Sequence, residues 1–97
     1  MHRFTAPLWR YQGDSAWYFI TVPVDLSDDI RELTEGTRRG FGSVRVRATV
    51  GATAWTTSVF PDTKRGAFLL PVKKAVRAAE GLDDGDAVDV VLELLDA

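Results

Sequence analysis

A proline, a short helical repeat, a glycine and an alternating apolar run follow one another in Leu70-Pro71-Val72-Lys73-Lys74-Ala75-Val76-Arg77-Ala78-Ala79-Glu80-Gly81-Leu82-Asp83-Asp84-Gly85-Asp86 and residues 87–94. The order predicts a strand end, a short helix, a tight turn and a strand. Pro71 has no N–H to give to a sheet ladder, yet it is accepted in the first turn of a helix. Val72, Ala75, Val76 and Ala79 recur at helical spacing. Gly81 takes the left-handed conformation that caps a helix C-terminus at little steric cost. Beyond it, Val88, Val90, Leu92 and Leu94 alternate with Ala87, Asp89, Val91 and Glu93, the period of a strand with two unlike faces.

The rest of the chain is strand-rich. Residues 3–11 alternate with Phe4, Ala6 and Leu8 on one side, and Gln12-Gly13-Asp14 turns the chain into a strand over residues 16–22, a β-hairpin. Trp17, Tyr18, Phe19, Ile20 and Val22 are apolar on both faces. Such a strand is covered from two sides, or its outer aromatic face meets something else. After Pro23, Asp25-Leu26-Ser27-Asp28-Asp29 places short acceptors and negative charge at the start of a helix reaching about Leu33 or Glu35. Gly36 closes this helix, and Leu26, Ile30 and Leu33 are its expected core contacts. Thr37-Arg38-Arg39-Gly40-Phe41-Gly42 reads as a loop. Val44, Val46, Ala48 and Val50 then alternate with Ser43, Arg45, Arg47 and Thr49, one buried face and one wet face. Gly51-Ala52 turns into a strand over 53–60, rich in Thr, Val and aromatics. Pro61-Asp62-Thr63-Lys64-Arg65-Gly66 is a loop before a short apolar strand at 67–70.

One internal echo is visible. Ile20-Thr21-Val22-Pro23-Val24 corresponds to Phe68-Leu69-Leu70-Pro71-Val72 at a shift of 48, and Val44-Arg45-Val46 to Val88-Asp89-Val90 at a shift of 44. Each half reads strand, proline, short helix, Gly-containing loop, alternating strand. That is the pattern of a duplicated unit that buries its face against its copy.

The chain of 97 residues, 45% hydrophobic, suits one domain over 1–97, which at this size removes roughly 60–65% of the unfolded surface from water. Three Trp, five Phe and two Tyr let that core form without cross-links. Cys is absent, which excludes disulfides and thiolate metal sites and agrees with a reducing cytoplasm. Met1-His2-Arg3-Phe4-Thr5-Ala6-Pro7 has no apolar signal core, and no run is long enough to span a bilayer, so a soluble, unprocessed cytoplasmic chain is expected. Residues 37–77 hold nine Lys/Arg against the single acid Asp62, a balance of +8, while the remainder carries −10. Such asymmetry marks an anion-binding face unless the two regions neutralise each other by antiparallel pairing, which is the expectation here.

Leu70-Pro71, the Arg77-bearing helix and Gly85-Asp86-x-Val88-x-Val90 resemble the swapped-hairpin units of AbrB and MazE-type DNA-binding and antitoxin proteins, in which two copies interlock as a double-split β-barrel. The whole order of segments is similar to the bacterial domain-of-unknown-function family 1905. The pieces that carry this likeness are Ala16-Trp17-Tyr18-Phe19-Ile20-Thr21-Val22-Pro23, Gly42 with the alternating run through Gly51, Trp55-Thr56-Thr57-Ser58-Val59-Phe60-Pro61, and Leu70 through Arg77 to Gly85-Asp86. Together they cover about residues 4–95. The resemblance implies a mainly β chain: a double-split barrel with two short helices, built from two pseudo-duplicated AbrB-like halves in one polypeptide, and hence a monomer. It carries over no catalytic residues.

Little in the chain supports catalysis. His2 is the only histidine and sits at a terminus, so histidine-based catalysis has almost no material. Asp83-Asp84-Gly85-Asp86 with Asp89 lacks the alternating ligands and distal Glu of a calcium loop and reads as a turn before a strand. Gly40-Phe41-Gly42 precedes a strand instead of a helix and lacks the third glycine of a phosphate loop. Ser43 and Ser58 lie in no nucleophile-elbow setting. The basic residues are the candidate site. Arg45 and Arg47 project from the wet face of a strand, where Asp89 and Glu93 are expected partners. Lys73, Lys74 and Arg77 lie on the outer side of the second helix, and Arg38-Arg39 in a loop. Solvated surface is the bland reading of these residues, and an anion or nucleic-acid site the sharper one. Trp17 and Trp55 are expected in the core, and an exposed Trp beside the basic set reverses that expectation. The expected function is a non-enzymatic binding or accessory module, without cofactor, metal or membrane, whose partner is a protein or a small anionic ligand. The alternatives are an AbrB-like nucleic-acid-binding regulator, disfavoured by a pI of 5.2, and a small-molecule pocket at the barrel mouth lined by Trp17, Trp55 and Lys73.

Overall fold

In the computed structural model, which describes residues 1–13, 17–36 and 42–95, the alternation of Phe4, Ala6 and Leu8 becomes strand β1 (His2–Arg10), with Phe4 and Leu8 buried and Arg3, Thr5 and Pro7 outside. It pairs antiparallel with β2 (Tyr18–Thr21) through Leu8↔Ile20 and Trp9↔Phe19, the predicted hairpin. Helix α1 (Val24–Leu33), β3 (Val44–Val50), β4 (Thr53–Asp62), β5 (Ala67–Pro71), helix α2 (Lys74–Glu80) and β6 (Ala87–Leu94) follow. Asp14 of the first turn, Ala16 at the expected strand start and residues 37–41 of the expected loop lie outside the described residues.

The strands close into one antiparallel barrel in the order β1-β2-β5-β4-β3-β6, so no edge is left to pair with another chain. Closure depends on two strands that change partner partway. Residues 2–7 of β1 pair with β6 and residues 8–10 with β2. Residues 53–59 of β4 pair with β3 and residues 60–62 with β5. Pro7 and Pro61 stand beside these two changeovers, where a ladder donor is dispensable. Inside the barrel Leu8, Ile20, Val46, Val59, Phe68, Leu70, Val90 and Leu92 are fully buried. The burial expected of Val44, Val46, Val88, Val90 and Leu92 is found throughout. No helix among the described residues is long and apolar enough to cross a membrane.

The two halves, β1-β2-α1-β3 and β4-β5-α2-β6, meet at the β2–β5 ladder. Val22 donates its N–H to the Phe68 carbonyl and Val72 to that of Tyr18, both at 2.9 Å. These are one bond made in each direction, and they relate the halves by 50 residues. The N-cap positions, Pro23 of α1 and Lys73 of α2, keep the same offset. The shift of 48 that aligns Pro23 with Pro71 is therefore corrected. Pro71 is the last residue of β5, opposite Phe19, and its helix begins later, because the hydrogen-bond frame and not the proline sets the repeat.

Both helices also turn differently from their apolar spacing. In α1, Leu26 packs against the core and Ile30 is buried, but Leu33 is 57% exposed and Ser27 is buried. Ser27 Oγ donates to the Val22 carbonyl at 3.1 Å and accepts the Phe68 N–H at 3.0 Å. This pair of bonds ties α1 to both central strands and rotates Leu33 outward. Val72, just before α2, and Val76 within it are buried while Ala75 and Ala79 are exposed, since so short a helix covers the barrel with one turn only. Gly81 caps it in the left-handed region, φ 63°, as its sequence position predicts.

Candidate anion-binding cleft

The β2–β5 ladder sets three cations of α2 beside an aromatic. Pro71 lies opposite Phe19, and the Val72 N–H bond to Tyr18 holds the crossing from β5 into α2 against the start of β2. Trp17, just before β2, is fixed by the Tyr11 N–H donating to its carbonyl at 2.8 Å. Trp17, Tyr18, Pro71, Val72, Lys73, Lys74 and Arg77 consequently line one cleft of about 310 Å³. A second hollow of about 350 Å³ lies beyond Lys74 and Arg77, lined also by Ala78, Gly81, Leu82 and Asp83.

Arg77 is pre-oriented in this cleft. Its guanidinium carbon lies 3.9 Å from the Tyr18 ring centroid, and its Nε–H donates to the Val72 carbonyl at 3.2 Å. Those two contacts leave the terminal guanidinium nitrogens without a protein acceptor among the described residues, and Lys73 and Lys74 have no acid partner there either. Trp17 is 55% exposed and stacks offset on Phe19, with centroids 6.1 Å apart and planes at 8°. The arrangement combines a planar apolar surface with three unpaired positive charges. It can hold an anion and stack a ring at the same time.

The remaining predicted site residues lie elsewhere. Trp55 is a core residue, 8% exposed. Its register partner is Ala48, and the small residue opposite makes room for the indole inside the barrel. A mouth pocket lined jointly by Trp17, Trp55 and Lys73 is therefore not formed. Arg47 stands directly opposite Glu93 and pairs with it at 3.3 Å, as expected, on an exposed surface where such a pair is worth ~0.2–1 kcal/mol. Arg45 has no acid partner among the described residues. The expected Asp89 is opposite Thr5 of β1, whose hydroxyl it accepts. The β3–β6 register instead brings Leu95 to Arg45, its N–H donating to the Arg45 carbonyl. Arg38 and Arg39 lie outside the described residues.

Asp84 and Asp86, after α2, accept backbone N–H groups, Asp84 that of Arg10 at 2.9 Å and Asp86 that of Asp83 at 2.8 Å. Among the described residues no group of three or more His, Cys, Asp or Glu side chains is placed to hold a metal ion.

Sequence reasoning missed Trp9, Tyr11 and Arg65. Trp9 and Tyr11 join Trp17 around Phe19, at 5.3 and 6.2 Å between centroids, and Trp9 donates its indole N–H to Thr21 Oγ1 at 2.9 Å. Arg65 covers Trp9, 4.7 Å from the ring centroid, and is anchored by an ion pair with Asp62. Asp62 also accepts the N–H groups of Lys64 and Arg65. The Arg65 side-chain hydrogen bond, aided by the turn N–H groups and outweighing the partial burial that pushes the other way, holds the Asp62 carboxyl below its ordinary value. The signal was present in the hairpin: Trp9 and Tyr11 sit at alternate positions, opposite the equally aromatic Phe19 and Trp17.

Residues 4–92 match a family model described as a domain of unknown function, DUF1905. No curated protein matches the chain.

Proposed function

The chain belongs to the DUF1905 family, and we propose that it is a non-enzymatic binding module whose ligand is a small anion bearing a planar ring, held between Trp17 and the start of α2. The observation that carries this reading is the exposure of Trp17, 55%, in the same cleft as Lys73, Lys74 and Arg77. A buried Trp17 would have left only scattered surface cations. Stacking on an exposed aromatic contributes ~1–3 kcal/mol. Arg77, already fixed on Tyr18, gives up little side-chain freedom when it meets an anionic oxygen. A volume of about 310 Å³ is at the small end of ligand sites, about 300–1,000 Å³.

A cytoplasmic monomer completes the proposal, since one chain closes the barrel and carries no Cys. The AbrB-like alternative, a regulator that binds duplex DNA, is weakened by the division of the basic residues between β3 and α2 and by the Arg47–Glu93 pair.

The test is an NMR titration with thymidine 5′-monophosphate, followed at the Trp17 indole and the Arg77 side chain. Saturable shifts at both are expected, with Trp17→Ala and Arg77→Gln each weakening binding about tenfold, about 1.4 kcal/mol. Equal shifts with inorganic phosphate would remove the ring from the proposal, and no shift at either residue would overturn it.

A further inference from the structure

The outer face of β1, β2, β5 and β4 carries more aromatic surface than the cleft uses. Because Leu8↔Ile20 points into the barrel, the neighbouring pair Trp9↔Phe19 must point out, a consequence of the two-residue period. Tyr11 and Trp17, beyond that pair, are 50% and 55% exposed. Across the ladder Thr21 pairs with Leu69 and Leu69 with Phe60, which is 44% exposed. An aromatic strip thus crosses the sheet obliquely, well past the Trp17 cleft.

Charge brackets the strip. Lys73, Lys74 and Arg77 stand at the Pro71 end of β5, and Lys64 and Arg65 in the turn before its other end, with Arg65 over Trp9. Among the described residues Asp62 is the only acid in ion-pair contact with these cations; it pairs with Arg65 and leaves Lys64 as the unpaired charge at that end, while Asp83 lines the hollow beyond Lys74 and Arg77. At ~3.3 Å per residue along β5 the turn that carries Lys64 and the start of α2 are roughly 15 Å apart, and the Arg65 guanidinium reaches back over Trp9 between them.

We propose that the strip binds a single-stranded oligonucleotide, with phosphates at both cationic ends and bases stacked on the exposed rings between them. This inference rests on the cleft reading and names its ligand class: the ring-bearing anion is one unit of a strand. Charge complementarity selects this occupant. A proline-rich peptide would use the rings but leave the cations at both ends without counter-charge, and a duplex keeps its bases stacked away from Trp17.

The experiment compares fluorescence anisotropy of a labelled oligothymidylate of about ten nucleotides with the thymidine 5′-monophosphate titration. The oligonucleotide is expected to bind at least about tenfold more tightly than the mononucleotide, with log K falling by ~0.7 per contacted phosphate against log salt. Lys64→Gln, at an exposed side chain outside the Asp62 pair, should lower that slope by ~0.7 and leave mononucleotide binding unchanged. Tyr11→Ala should weaken the oligonucleotide alone; melting curves confirm that both variants are folded. If the mononucleotide binds but the oligonucleotide gains nothing, or its gain ignores both variants, the strip proposal is overturned and the cleft reading stands. Silence of both ligands overturns both. Binding of a proline-rich peptide by the same face, with the oligonucleotide inactive, overturns the strip proposal in favour of a peptide.

Discussion

The Arg77 guanidinium lies 3.9 Å from the Tyr18 ring centroid and thereby fastens the second helix to the first hairpin. Residues 59 apart in sequence are joined, and the Nε–H bond to the Val72 carbonyl makes the geometry rigid. A partly desolvated contact of this kind is worth ~0.5–2 kcal/mol. Arg77→Lys should lose most of it, since an ammonium neither stacks as a plane nor reproduces the Nε donor. A melting temperature lower by about 4–8 °C per kcal/mol is expected. An unchanged transition in Arg77→Lys would show that the stack contributes no stability.

Ser27 and Leu33 should behave opposite to their hydrophobicity. Ser27→Ala leaves the buried Phe68 N–H without its acceptor, at a cost of ~1–3 kcal/mol. Leu33→Ala removes an exposed side chain and should stay within ~0.5 kcal/mol of the parent. Urea midpoints of the two variants decide it; a larger loss in Leu33→Ala would place that face of α1 against the barrel.

Asp62 is expected to titrate below its ordinary value of 3.8. A carboxyl lowered in the folded state contributes stability that is fully present above its unfolded value and is lost as pH falls through the lower folded one. The Asp62 contribution should therefore persist from neutral pH to about pH 4 and disappear below it. Carboxyl NMR titration should show Arg65→Gln moving the Asp62 midpoint back up. If the midpoint stays where it was, the Arg65 hydrogen bond is not the cause.

One chain supplies every strand of the closed barrel, so light scattering should return the mass of one chain, 10.7 kDa. The melting temperature should not change with protein concentration. A dimer whose melting depends on dilution would mean that the halves complete each other between chains.

Duplex DNA should bind poorly at ~150 mM salt, where charged contacts are strongly screened. Arg47 is paired with Glu93 on β3, whereas Lys73, Lys74 and Arg77 stand at the start of α2 and within it, so few cations reach one duplex. Anisotropy with a mixed-sequence duplex tests this. Submicromolar affinity at that salt, abolished by Lys73→Glu with Arg77→Glu, would restore the AbrB-like reading.

Elements whose signal is local were legible before any coordinates. Val44 to Val50 alternates because one face is apolar and the other is not, Ala87 to Leu94 alternates with Ala87 and Val91 on its outer face beside Asp89 and Glu93, and Gly81 ends its helix through its own backbone freedom. The cationic part of the candidate site, Lys73, Lys74 and Arg77, was legible for the same reason, as the polar side of a short helix. The partners of those cations were not, because Tyr18 and Trp17 reach them only through the β2–β5 ladder.

The sequence by itself determined the strands, the two short helices and the repeated plan, since each rests on periodicity and on residues that cap or break an element nearby. Only the tertiary structure decided which of two apolar faces turned inward. Trp17 and Trp55 both stand in strand-forming runs rich in apolar residues, yet Trp55 is inside because Ala48 opposes it, and Trp17 is outside because Ile20, aligned with Leu8 and Leu70, takes the interior. Arg47 finds Glu93 while Arg45 meets Leu95 through the same kind of register. Alternation defines two faces of a strand, but pairing with residues far along the chain sets which face is buried and which side chains meet across it.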